Sequence, residues 1–219
     1  PPLFLGEVAV DRRLGLELNH QRLRFDRPQD LYVFTNPVVN TDIQCRGLDY
    51  DCLQEEQYFS TREVYAGEDV EVGLTEAAAF TDATFHWDRY QVTAGLRYDY
   101  DDFLRNHNVA PRLSGSVDAF DNGATVLTAG ANLYYGGALL TYKMRQARTP
   151  YATEYRGATQ NVVNDWTTGN DQGLYRYGDT DLDTPYSDEL SLGLRQRLLG
   201  GVLEAKLVQR DNQDEFAQT

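Results

Sequence analysis

Polar and apolar residues alternate without a break from Gln91 to Tyr100. Val92, Ala94, Leu96, Tyr98 and Tyr100 take one face, and Gln91, Thr93, Gly95, Arg97 and Asp99 take the other. Period-two alternation over ten residues predicts a β-strand long enough to cross a bilayer at a tilt. The pattern recurs. From Val109 to Phe120, Leu113, Gly115, Val117 and Ala119 alternate with Arg112, Ser114, Ser116 and Asp118. From Thr125 to Tyr135, Leu127, Ala129, Ala131, Leu133 and Tyr135 share a face. Leu190, Leu192, Leu194 and Leu198 alternate with Glu189, Ser191, Gly193, Arg195 and Arg197, and Val202 to Asp211 follows. Thr75 to Phe85, Val64 to Leu74 and Leu14 to Phe25 read as further, less regular strands.

The connections have an order. His86–Tyr90, Asp121–Ala124 and Leu199–Gly201 are short, with Asp121-Asn122-Gly123 a strong tight-turn signal. Between those hairpins lie Asp26–Thr61, Asp102–Asn108 and Gly136–Thr184. Short turns at one end and longer loops at the other characterise outer-membrane barrels. A soluble β-sandwich has the same alternation, but its strands average about 5–6 residues and these run nearer ten. The prediction is therefore an all-β chain of about eight antiparallel transmembrane strands, a partial barrel with short periplasmic turns and long extracellular loops.

Composition sharpens this picture. Mean hydropathy is −0.56 although 41% of residues are hydrophobic, and no apolar run approaches the ~18 residues of a transmembrane helix. A barrel fits, because only every second residue meets lipid. Fifteen Tyr and nine Phe against one Met suit pleated surfaces and membrane interfaces. The net charge of −14 argues against nucleic acid, since no concentrated basic stripe offsets it. Cys45 and Cys52 lie in a polar stretch with no His or second Cys pair to complete a zinc site. A disulfide-closed loop is the better reading over free thiols, and it implies an oxidising compartment. No secretory leader is evident, and residues 1–219 read as a segment of something longer.

Phe80-Thr81-Asp82-Ala83-Thr84-Phe85-His86-Trp87, followed by Gln91-Val92-Thr93-Ala94-Gly95-Leu96-Arg97-Tyr98-Asp99, resembles the barrel of TonB-dependent outer-membrane receptors. Asn108-Val109-Ala110-Pro111-Arg112-Leu113-Ser114 is similar to a "PRLG" strand of that family, with Ser114 in place of Gly. The segment Thr184 to Leu194 resembles a later strand, with Ser191 where Gly is common. The resemblance covers roughly residues 62 to 216. It implies a bacterial outer-membrane location and part of a barrel of about 22 strands, with the plug domain, TonB box and remaining strands outside residues 1–219. It also implies import of a scarce nutrient (siderophore, haem, cobalamin, glycan or peptide) driven through the TonB energy-coupling protein. The alternatives are a passive porin, a structural barrel in a surface complex, or a soluble β-sandwich binding module.

Catalytic signals are absent. His20, His86 and His107 sit in no hydrolase or metalloprotease motif, and His86 beside Trp87 reads as interfacial. No cofactor is expected and any metal is unknown: Asp179-Thr180-Asp181-Leu182-Asp183 spaces carboxylates like a calcium loop, but Thr184 and Leu190 stand where Gly and Glu are required. Cargo contact falls best on Gly136–Thr184, through Tyr151, Tyr155, Arg156, Trp166, Tyr175, Arg176 and Tyr177. Aromatics suit an uncharged or aromatic ligand, and Arg suits a carboxylate or anionic chelate. Packing of the loops against each other would use the same residues. The Cys45–Cys52 loop within Asp26–Thr61 is a second candidate.

Overall fold

A computed structural model describes residues 3–47, 50–172, 176–177 and 181–216. In chain order the elements are β1 (Leu3–Leu5), β2 (Val8–Arg27), β3 (Leu31–Val39), β4 (Cys52–Leu53), β5 (Gln57–Tyr65), β6 (Glu68–Trp87), β7 (Tyr90–Asp101), β8 (His107–Asp118) and β9 (Thr125–Tyr135). They continue with α1 (Leu139–Ala147), β10 (Tyr151–Tyr155), β11 (Ala158–Thr159), β12 (Val162–Val163), β13 (Thr167–Gln172), β14 (Tyr186–Leu198) and β15 (Gly201–Gln213). Two compact units result. One comprises Pro1–Gln21, Gly73–Leu140 and Tyr177–Thr219, and the other Arg22–Val72 with Thr141–Arg176.

The first unit is built on an eight-stranded sheet in the order β1-β2-β6-β7-β8-β9-β14-β15. Its neighbours from β6 to β15 pair antiparallel. Alternation sets which way each side chain points, and the result is inverted relative to a water-soluble sheet. Leu16, Leu96, Leu113 and Leu192 stand exposed on the apolar face, Leu192 at 61%. On the interior strands the charged face is the more sheltered one: Arg97, Asp99 and Arg112 are half-buried and Glu189 is buried. No large side chain in this unit is fully buried among the described residues. A soluble sandwich buries its apolar face, so that alternative fails. The arrangement is that of a barrel wall with lipid outside and a wet lumen inside.

Register follows from the turns. Leu199 and Gly200 both have positive φ (49° and 80°) between β14 and β15, the twisted geometry a two-residue hairpin needs and which only Gly adopts without strain. Exposed Trp87 and Tyr90, rings 5.8 Å apart, flank the β6–β7 turn. At the other ends of the strands Tyr98 and Tyr100 bracket His107 at 6.0 and 5.4 Å, and Tyr135 meets Tyr186 at 5.7 Å. Two aromatic girdles of this kind mark the two bilayer interfaces.

Two sequence expectations change. Val64–Leu74 and Thr75–Phe85 are not separate strands: Val64 and Tyr65 end β5, and a single β6 of 20 residues runs from Glu68. The break falls at Ala66-Gly67, where the Gly67 amide donates to Asp30 Oδ1 at 2.7 Å. The long connections are also not irregular. Asp26–Thr61 and Gly136–Thr184 supply a second sheet, β13-β10-β5-β3, with β4 paired to β5.

That second unit has a core of its own. Ile43 and Val163, the largest fully buried side chains described, join Cys52 and Tyr58, with Cys45 and Ala158 packed beside them. Cys45 and Cys52 are disulfide-bonded, with Cα atoms 5.8 Å apart. The expected bridge is therefore present, and it lies on the small core.

Candidate functional site

On the inner face of the eight-stranded sheet, charges pair across strands. Arg97 Nη2 reaches Glu17 at 2.7 Å from β2, and its Nε donates to Asp99 at 2.8 Å. Arg13 Nε meets Asp82 at 3.0 Å, and Arg210 pairs with Glu189. His86 Nε2 lies 3.3 Å from Asp11, so it faces the lumen side while Trp87 next to it carries the interface. Between Glu17, Glu76, Asp99, Asp101 and Thr184 lies a polar cavity of about 220 Å³. Close packing shapes this face too: a Cβ at Gly15 would meet the Phe80 ring at 2.3 Å. The charges named here are thus held in pairs on the lumen face.

In the second unit, β3, β5, β10 and β13 bring Phe34, Arg62, Glu154 and Thr168 into one cross-strand row. Arg62 Nε donates to Glu154 Oε2 at 2.6 Å, and the guanidinium lies 4.7 Å from the Tyr32 ring and 4.6 Å from the Trp166 ring. Phe34 meets Trp166 at 6.1 Å and Phe59 at 5.9 Å. On the opposite face, Tyr65 stacks on Tyr151 at 5.0 Å. Its hydroxyl donates to Glu63 at 2.7 Å, a bond that pushes the phenol pKa up to about 12. Glu68 accepts from Arg148 Nε at 2.9 Å and the Thr149 amide at 2.8 Å. Burial works to raise its pKa, but these donors prevail and hold the carboxyl below its ordinary range.

The seven sequence candidates part company here. Arg156 is inward: its side chain is 3% exposed, with Nε donating to the Phe59 carbonyl at 2.9 Å and Nη2 to the Asp51 carbonyl at 2.8 Å. It pairs with the Asp51 carboxylate at 3.1 Å and lies 4.2 Å from the Trp166 ring. Two guanidinium groups, of Arg62 and Arg156, thus lie 4.6 and 4.2 Å from the Trp166 ring. Tyr151 stacks internally, whereas Tyr155 and Arg176 are exposed. Tyr177 belongs to the first unit, against Phe103 and Phe216 at 6.5 and 5.5 Å. Tyr175 lies outside the described residues, as do Asp179 and Thr180 of the carboxylate run. Tyr32, Phe34 and Arg62 were missed. For Tyr32 and Phe34 the signal was the β-prone run Leu31-Tyr32-Val33-Phe34-Thr35, hidden in a stretch read as loop. Among the described residues, no group of three or more His, Cys, Asp or Glu is placed to hold a metal.

Residues 4–216 match the family model described as TonB dependent receptor-like, beta-barrel. The chain belongs to that family. It is accordingly an outer-membrane protein of bacteria, as the girdles and the inverted faces require. The Escherichia coli (strain K12) protein YddB is 34% identical over 152 residues, covering 68% of this chain and 17% of that protein. A crystal structure described as the outer membrane transporter YddB from Escherichia coli aligns over 96% of this chain and 24% of its own, with TM-score 0.63 and 27% identity. This TonB-dependent-receptor barrel segment thus spans 17% to 24% of the length of the relatives it matches.

Proposed function

We propose that the chain is part of a receptor that imports a scarce nutrient across the outer membrane with energy supplied through TonB, the plug and the remaining strands lying elsewhere in the same protein. The supporting observation is the inverted sheet: apolar side chains face out over eight strands while paired charges line the inside. The family and the transporter title of the aligned structure favour import. The cargo is a small molecule, metal chelate, glycan or peptide. Within the second unit we assign its contacts to the exposed Tyr155 and Arg176 and to the Trp166 ring, with Arg156 and Tyr151 supporting them from behind.

The test is growth of cells expressing the full-length protein on a panel of limiting iron chelates, haem, cobalamin, glycans and peptides, with and without TonB. Growth on one cargo that needs both the protein and TonB is expected. Growth that needs the protein but not TonB would make it a passive porin instead. Trp166→Ala should weaken uptake of that cargo while leaving the amount of protein in the membrane unchanged.

A further inference from the structure

One inner-face row crosses six strands: Asp82, Gly95, Arg112, Asn132, Glu189 and Arg210, each in register with the next. Its acids are both engaged. Asp82 holds Arg13 from β2, and Glu189 holds Arg210 from β15. Arg112 sits between them, beside Gly95 and Asn132, with no carboxylate next to it in the row. Its Nε is buried without a hydrogen-bond partner, and its guanidinium lies 4.9 Å from the Tyr134 ring. Glu17, the acid whose charge reaches it, is paired with Arg97. A buried guanidinium nitrogen with no acceptor costs free energy unless something absent from the protein wall supplies one. Arginine's fixed fork of donors selects oxyanions.

The surroundings leave room for that acceptor. Arg112 borders a recess of about 190 Å³ that Arg13, Arg97, Asp82, Ser114 and Asn132 also line. Its charged lining is three arginines to one aspartate, a local excess of positive charge in a chain of net −14. Gly95 adds no side chain on one flank, and Asn132, whose side chain carries an N–H donor, lines the other. We infer that Arg112 and Asn132 form an oxyanion site in the lumen wall, filled by a free oxyanion or by a carboxylate from elsewhere in the same protein. The site does not depend on TonB coupling, only on the inner face.

The full-length protein in detergent distinguishes the two sources. Sodium selenate is titrated against chloride at equal ionic strength while the thermal unfolding midpoint is followed, for the wild type, Arg112→Gln and Asn132→Asp. The second variant keeps the shape of the row and places a carboxylate beside Arg112. A free-oxyanion site gives a saturating rise in the wild-type midpoint that both variants lose, with anomalous selenium density at Arg112 in soaked crystals. A site filled by the protein's own carboxylate gives no rise, and the full-length crystal structure then places an Asp or Glu oxygen on the Arg112 guanidinium. Selenate effects that persist in both variants overturn the proposal. So does a full-length structure in which Arg112 meets only water and no selenate binds.

Discussion

The two units of this chain solve opposite solvation problems with the same secondary structure. In the eight-stranded sheet, leucines point outward and stay exposed, arginines and carboxylates point inward in pairs, and no large side chain is fully buried among the described residues. In the second unit the strands enclose a small apolar core, Ile43 and Val163 at its centre, under a disulfide. One is designed for lipid against one face, the other for water on its surface. What sets the fate of a β-strand here is thus not its hydrophobic content but which solvent its apolar face meets.

The sharpest way to break this comparison is to make one chemical change at an exposed apolar position in each region. Leu192→Arg puts a charge on the lipid face and should cost ~2–4 kcal/mol near the midplane, abolishing most insertion of the full-length protein into bilayers. Arg195→Leu, on the same strand but the other face, should leave refolding yield near wild type. Equal yields for the two variants would sink the face assignment. Next in size is reduction of Cys45–Cys52. Losing so short a clip should cost about 2 kcal/mol and act only on the second unit. Hydrogen exchange at the Gln44 and Val163 amides, which bond to Asn161 and Gln44 carbonyls, should speed up while exchange in β7 and β8 does not change.

A smaller effect separates the regions by pH. Glu68 has a folded pKa below its unfolded value, so its ionised form is favoured by folding. Its contribution is present above the unfolded carboxylate pKa and is lost as pH falls through the folded one. The protection factor of the Thr149 amide, its exchange corrected for the intrinsic rate at each pH, should fall on acidification through that range, and Glu68→Gln should remove that fall. Smallest of all is Val39→Arg, at a position 75% exposed on β3. Facing water, it should shift stability by no more than ~0.5 kcal/mol, in contrast to Leu192→Arg, and chemical denaturation of the full-length protein would measure it.

The spanning strands were legible because alternation is a local signal. β9 has the predicted bounds of Thr125–Tyr135, and β7 extends the Gln91–Tyr100 prediction by one residue at each end. The second unit was not legible, since β5 pairs with β10 across Arg62 and Glu154, 92 residues apart, and no local pattern announces such a partner. The same limit applies to Arg156. Sequence marks it as a donor in an aromatic loop, but only the fold brings Asp51 and the Phe59 carbonyl to it and turns the guanidinium inward. The division of β6 was misplaced because Leu74-Thr75 lies at no turn residue, whereas Gly67 does. Arg112 stood out in sequence only as one member of a polar face. Its missing partner emerges when the registers of six strands are laid side by side.

The disulfide has a consequence for the order in which the molecule is made. Its cysteines are seven positions apart, so the ends meet within a short, fast loop closure that needs no other strand in place. The pairing of β5 with β10, by contrast, joins segments about ninety residues distant in sequence, the slow kind of encounter. A bond closed early would present Ile43, Cys52 and Tyr58 as a preformed half-site on which Val163 later lands. The oxidising enzymes of the periplasm, met before insertion, would then act as a timer: they close a local piece before β5 and β10 meet.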